Sequence, residues 1–287
     1  MRSSSNTRTV EARAKINPFL RVLGRRSDGY HDIESLVLPI SLADRLEIHA
    51  ASDPSFRTLS LALEVVGDPP LIRRVPVDES NLVLRVAEAL ARRGDVHGFA
   101  DVTLEKLIPV AGGLGGGSAD AAATLLALND LWGNPVSDET LVEIGAHVGS
   151  DVPALLAGRA VLMAGRGEQV EPVEITPMRW RLVTFPFGVS TRDAYGWWDE
   201  DGAVTGPDPG GVLDAARRAD VQELGSRLFN DLERSVLRRH PEIAEAKERL
   251  LKAGAAGVVL SGSGPTLAAL VPSGAEDMLQ EGIEVSS

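Results

Sequence analysis

Between Gly112 and Ser118 the chain reads Gly-Gly-Leu-Gly-Gly-Gly-Ser, five glycines in six positions ahead of a serine. Glycine admits positive φ and lets backbone N–H groups approach a ligand with no Cβ in the way. An Ala- and Leu-rich run from Ala119 to Leu131 follows, so a helix N-terminus would add its positive dipole end behind the loop. That combination is a phosphate cradle, with Ser118 able to cap the helix, bind a phosphate oxygen or ligand a magnesium ion. The plain alternative is a flexible linker or tight turn, against which the close flanking by strand and helix argues. It is not a Walker A loop, because Gly117-Ser118-Ala119 has no lysine. A dinucleotide G-x-G-x-x-G fails too: counted from Gly113 it needs glycine where Ser118 stands, and from Gly112 where Leu114 stands.

Lys15 and Asp151, like other lysines and aspartates of the chain, are of types that could serve phosphate chemistry. Moving a phosphoryl group to an alcohol requires positioning, charge neutralisation and an acceptor for the hydroxyl proton. A carboxylate can take that proton while an ammonium holds the carboxylate ionised. Each has a plainer reading: Asp151 before Val152-Pro153 also suits a helix N-cap with proline in the first turn, and Lys15 could snorkel from its strand. Tyr30 and His31, after the turn residue Gly29, could stack on and hydrogen-bond a base, or be a partly buried tyrosine and a solvated histidine. Ser261-Gly262-Ser263-Gly264 could close over phosphates or simply turn the chain.

These residues need elements to hold them. Alternation over Thr7–Ala51 around Gly24 and Asp28-Gly29 predicts strands joined by a tight turn, with a further strand at Arg45–His49. A strand is expected at Leu59–Val66, a helix from Asn81 to a stop at Gly94, and a period-two strand over Asp101–Lys106. Ser137 caps a helix running to about Val148, and Gly149–Pro153 opens a short one. Gly158–Gly167 reads as a hairpin and marks the domain boundary. Beyond it come a strand at Arg181–Phe185, a helix at Arg192–Trp198 and a Gly/Pro-rich linker over Gly202–Gly211. Helices follow at Val212–Arg218, Asp220–Leu224, Asn230–Arg239 and Pro241–Ala253, then strands Gly257–Leu260 and Thr266–Val271. Mixed strands and helices without strict alternation mean α+β in both halves.

Composition narrows the function. The chain has 287 residues, 44% of them hydrophobic and 24% charged, which suits two modest globular domains. The formal net charge of −12 argues against nucleic acid as partner. No apolar run is long enough for a membrane span, and Met1–Asn6 reads as a frayed start without a signal region. The absence of cysteine removes disulfides, thiolate metal sites and a cysteine nucleophile, and is compatible with a cytoplasmic setting.

Pro109–Ala123 resembles the nucleotide loop of the GHMP kinases, and the triple glycine before Ser118 resembles the diphosphocytidyl-methylerythritol kinase branch. Ala14–Asn17 with Gly24–Ile33, Gly149–Pro153 and Leu260–Thr266 are similar to further family segments, in family order over nearly the whole chain. Pro18, the Met163–Gly167 hairpin and the short stretch after Val271 depart from the pattern. The resemblance implies an α+β, two-domain GHMP kinase fold, residues 1–158 binding ATP and 159–287 forming the C-terminal domain, with the active site in the inter-domain cleft. It implies ATP, with Mg²⁺, on Pro109, Val110, Ala111, Gly112, Gly113, Leu114, Gly115, Gly116, Gly117, Ser118 and Ala119. It implies Lys15 and Asp151 as the catalytic pair, with Asn17, Tyr30, His31 and Tyr195 around a cytidine diphosphate sugar alcohol. The implied reaction phosphorylates the 2-hydroxyl of 4-diphosphocytidyl-2-C-methyl-D-erythritol, giving ADP and the 2-phosphate in the non-mevalonate isoprenoid pathway. The chain would be cytoplasmic, a monomer or homodimer, with no nucleic-acid or membrane partner and with its metal ligands unspecified. The rivals are another GHMP kinase, for homoserine or mevalonate, and a catalytically idle nucleotide-binding protein.

Overall fold

The computed structural model describes residues 6–275 and 281–287, so the frayed start expected at Met1–Asn6 lies, but for Asn6, outside them. In chain order the elements are β1 (Asn6–Arg25), β2 (His31–Ser52), β3 (Leu59–Gly67), α1 (Pro69–Ile72), α2 (Leu82–Gly94) and β4 (Gly98–Lys106). Next come α3 (Gly116–Leu131), α4 (Asp138–Val148), α5 (Val152–Leu156), β5 (Val161–Gly165), β6 (Gln169–Pro172) and β7 (Arg179–Val183). The rest are α6 (Thr191–Glu200), α7 (Gly210–Arg217), α8 (Val221–Arg227), β8 (Phe229–Asn230), α9 (Glu233–Arg239), α10 (Pro241–Lys252), β9 (Gly257–Leu260), β10 (Leu267–Leu270) and β11 (Ile283–Ser286).

Two compact units result. Unit 1 takes residues 1–14, 42–110 and 115–156; unit 2 takes 15–41, 111–114 and 157–287. The last change of unit follows residue 156. The changes after residues 14 and 41 leave no mark in the sequence, because β1 and β2 run through them as unbroken strands.

In unit 1, Arg45–Ser52 of β2 pairs antiparallel with β4, and β3 lies parallel to β4 on its other side. The expected separate strand at Arg45–His49 is thus the far end of β2. Helix α2 buries Val83, Val86, Ala87, Leu90 and Ala91, the 3.6-residue stripe of an amphipathic helix. The Asn81 side chain accepts a hydrogen bond from the Val83 N–H at 2.9 Å, capping that helix. Its stop is not glycine's doing: Asp95 takes the left-handed turn at φ 50°. Gly94 is needed for space, since a Cβ there would lie 2.7 Å from Pro135 Cβ.

In unit 2, Ile33–Val37 of β2 pairs with β5, which turns back into β6, and Phe19–Leu20 of β1 lies parallel to β8. A second, antiparallel sheet has the order β11-β7-β10-β9 around the fully buried Trp180. Two expectations shift here. The helix read from Asn230 starts at Glu233, because Asn230 itself pairs with β1, and the tail after Val271 supplies β11 as an edge strand.

Candidate active site

The glycine loop ends sooner than its composition suggests. Helix α3 begins at Gly116, so Gly116, Gly117, Ser118 and Ala119 form its first turn. Gly115 precedes them at φ 68° as a left-handed N-cap with no side chain to cap with, and its carbonyl accepts the Ala119 N–H at 2.8 Å. The first turn therefore offers backbone N–H groups that the helix itself does not use, with no acidic residue among them. Gly117 is exposed, and a Cβ on it would meet only Leu82 Cδ1, at 3.8 Å. The fold alone leaves glycine at 117 without a steric reason. Gly116 differs: a Cβ there would press on Ile108 Cγ2 at 3.1 Å and lie 3.4 Å from Lys106 Nζ.

Beneath this turn lies a buried charge cluster that the sequence reading missed. Lys106, 3% exposed, donates to Asp44 and, at 2.8 Å, to Asp120 Oδ2. Asp44 Oδ1 also accepts the Leu107 and Ile108 N–H groups, which fixes the chain as it leaves β4 for the loop. Burial pushes the Asp120 carboxyl up to about 8 against the pull of Lys106, and its Oδ1 has no hydrogen-bond partner among the described residues. Burial works against the Lys106 charge as well, but the two carboxylates outweigh it and hold the ammonium above its ordinary value. The signal was Lys106 at an inward position of an alternating strand, in phase with Val102 and Leu104.

Asp151 sits at the start of α5, with its backbone carbonyl accepting the Leu155 N–H at 3.2 Å. It therefore does hold the N-cap position that the plainer reading gave it. The approach to it passes α3: a Cβ on Gly149 would be 3.7 Å from Ser118 Oγ. Pro109 and Val110 belong to the same unit.

Unit 2 holds Lys15 in a closed frame. The run Ala14–Leu20 is buried throughout, and Lys15, at 3% exposure, does not snorkel. Its Nζ donates to Asn17 Oδ1 at 2.5 Å and to the Gly113 carbonyl at 3.0 Å, while its N–H bonds the Leu114 carbonyl. Asn17 Nδ2 donates to Ser35 Oγ, which donates onward to the Phe19 carbonyl. Ser261 Oγ donates to the same Gly113 carbonyl at 3.0 Å. Asn230 Nδ2 donates to the carbonyls of Leu260 and Gly262, pinning the Ser261–Gly264 turn. A Cβ on Gly113 would stand 2.1 Å from the Ser261 carbonyl, so that glycine is demanded by the turn packed on it. Ala111 takes φ 56°, a strained conformation for alanine, and a Cβ on Gly188 would be 2.6 Å from its methyl group.

The aromatic residues divide. His31 is nearly enclosed: its ring lies against Tyr195 at 4.8 Å between centroids and edge-on to Trp198, and Nε2 meets Asp199 Oδ1 at 3.0 Å. Tyr30 is 52% exposed, with the Arg166 guanidinium over its ring at 5.4 Å. Of the residues singled out in the sequence, unit 2 thus gathers Lys15, Asn17 and Gly112–Leu114 in one frame, and His31 with Tyr195 in another. Asp151 and Gly115–Ala119 belong to unit 1.

Two family descriptions match: the GHMP kinases N-terminal domain over residues 81–159 and the GHMP kinases C-terminal region over residues 212–283. A 4-diphosphocytidyl-2-C-methyl-D-erythritol kinase of Pelotomaculum thermopropionicum is 42% identical over 90% of this chain and 87% of its own. That of Symbiobacterium thermophilum is also 42% identical, over 92% of this chain and 90% of its own. A crystal structure of 4-(cytidine 5'-diphospho)-2C-methyl-D-erythritol kinase superposes with TM-score 0.78 at 31% identity, covering 97% of this chain and 98% of that one. A homoserine kinase from Cytophaga hutchinsonii, at 18% identity and TM-score 0.65, shares the fold.

Proposed function

The chain belongs to the GHMP kinases, in their 4-diphosphocytidyl-2-C-methyl-D-erythritol kinase branch, and we propose how its residues divide the work of that reaction. The activity is ATP-dependent phosphorylation of the 2-hydroxyl of 4-diphosphocytidyl-2-C-methyl-D-erythritol, giving ADP and the 2-phosphate. The first turn of α3 carries the assignment of the nucleotide: unused N–H groups, no acid, and an exposed glycine that packing does not require. The β- and γ-phosphates lie on Gly115–Ser118, where fixed dipoles oppose their charge in a chain whose net charge is −12.

Asp151 takes the proton of the acceptor hydroxyl as the phosphoryl group arrives. Lys15, buried and held by Asn17 and Gly113, places one positive charge where little water screens it, countering charge on the transferring group. Asn17 orients that ammonium and touches substrate in the same pocket. Tyr30 stacks on the cytosine with the ring face that Arg166 leaves, and His31 and Tyr195 close the base site. A Mg²⁺ ion fits as the nucleotide's companion, since such ions keep several waters and bind through phosphates and one or two protein oxygens. Ser118 Oγ, beside the Gly149–Asp151 segment, is a hydroxyl suited to it. When bound, the ion supplies charge neutralisation on the phosphates.

No helix among the described residues is long and apolar enough to cross a membrane. The reading places the enzyme in the cytoplasm, as a monomer or homodimer. A coupled ADP-release assay with the cytidine substrate tests the activity, with homoserine and mevalonate as competitors. Turnover on the cytidine substrate alone is expected; ATP binding with no turnover on any of the three would leave an idle nucleotide-binding protein.

A further inference from the structure

We infer that Asp199 is a specificity-determining residue: by holding the Nε2 proton of His31 it leaves Nδ1 as the acceptor that reads the exocyclic amine of cytosine. The inference rests on the proposed placing of the base beside His31. A neutral imidazole has one N–H and one bare nitrogen, and the partner of the first decides which is which. Here that partner is fixed from several sides. Asp199 Oδ1 lies 3.0 Å from Nε2, and a carboxylate only accepts, so the proton resides on Nε2. Asp199 Oδ2 faces the Arg25 guanidinium at 3.7 Å, which holds the carboxylate in that orientation. The imidazole cannot turn over freely, because Tyr195 covers a face, Trp198 meets it edge-on, and the side chain is only 8% exposed.

Nδ1 carries no hydrogen bond among the described residues. As a bare nitrogen it accepts, and the ring-4 substituents of the two common pyrimidines differ in this respect. Cytosine presents an N–H donor there, while uracil presents a carbonyl oxygen, as thymine does. A uracil would set lone pair against lone pair, so the site gains a hydrogen bond with one base and an unpaired, opposed acceptor with the other. The other tautomer would reverse the preference. Asp199 touches no part of the base in this scheme and acts through His31 alone.

The experiment compares CDP and UDP as probes by titration calorimetry on the full chain. The unmodified protein is expected to favour CDP by about tenfold or more, the usual worth of one correctly read base edge. Asp199→Leu should bring the ratio toward one, through weaker CDP binding with UDP little changed or improved. Long-range proton–nitrogen spectra of the unmodified protein, with the His31 signals identified by their loss in His31→Ala, should show a protonated Nε2 and a bare Nδ1. A bare Nε2 would overturn the inference whether or not the leucine variant folds. If His31→Ala removes the CDP preference and folded Asp199→Leu keeps it, the role of Asp199 is refuted while the base site stands. If His31→Ala leaves the preference intact, the placing of the base is itself wrong.

Discussion

Gly117→Ala separates what the phosphates require from what the fold requires. The residue is helical, exposed and ordinary in φ, and its new methyl group would find Leu82 Cδ1 at 3.8 Å and nothing closer. Alanine is better than glycine in a helix by about 0.5–1 kcal/mol, so the variant should be at least as stable as the parent. Over a chain of this size that is a rise of up to about 2–4 °C in Tm. Binding should move the other way. If a phosphate oxygen approaches the N–H of this residue, the methyl group displaces it and costs a hydrogen bond to a charged group, about 1.5–3 kcal/mol. That converts to roughly a 10- to 150-fold loss of affinity. The assay is calorimetric titration with a non-hydrolysable ATP analogue, paired with thermal unfolding of the same sample. Unchanged affinity in a protein of unchanged or higher Tm would falsify the placing of phosphates on α3. Gly113→Ala gives no such separation, since φ 78° and a Cβ 2.1 Å from the Ser261 carbonyl strain the fold before any ligand arrives.

Asp151→Asn keeps the shape but cannot accept a proton, so kcat should fall by about 10²–10⁴ with KM little changed. Rates of the Lys15→Ala and double variants complete that test: if the two residues act as a unit, the double is scarcely worse than the poorer single. An unaltered kcat in the asparagine variant removes Asp151 from the mechanism. Tyr30→Ala should weaken cytidine-substrate binding by about 1–3 kcal/mol, the worth of stacking a base on an aromatic, and leave ATP binding alone. Equal weakening of both ligands in calorimetry would make Tyr30 a structural residue. Asp120→Asn tests the buried cluster through pH. The folded carboxyl keeps its proton up to about pH 8, whereas the unfolded chain releases it at about 3.9. Across that window folding takes up a proton, so the parent loses stability as pH rises and levels off above it. The asparagine variant lacks this loss, and urea unfolding should show its advantage widening from pH 5 to 8; a constant gap means the carboxyl is ionised in the folded state.

The sequence by itself determined the local elements and the kind of chemistry. The apolar stripe and Asn81 cap of α2, the alternation of β4 and the glycine run before an Ala-rich helix are short-range signals, and each fixes a stretch of chain without its neighbours. They could not say what each glycine is for. Gly113 yields to the Ser261 carbonyl, Gly116 to Ile108 and Gly117 to nothing in the fold, because these partners are chosen by packing between distant segments. The same holds for charge. Lys106 reads as one more lysine on a strand until Asp44 and Asp120 close on it, and Asp199 as a helix-surface acid until His31 lies against it. Nor could the sequence show that β1 and β2 each serve both units, since a strand carries no local mark where its neighbours change. Propensity and pattern act over a few residues, whereas the cost of burying an unpaired charge is settled by whichever group the tertiary fold brings within hydrogen-bond reach.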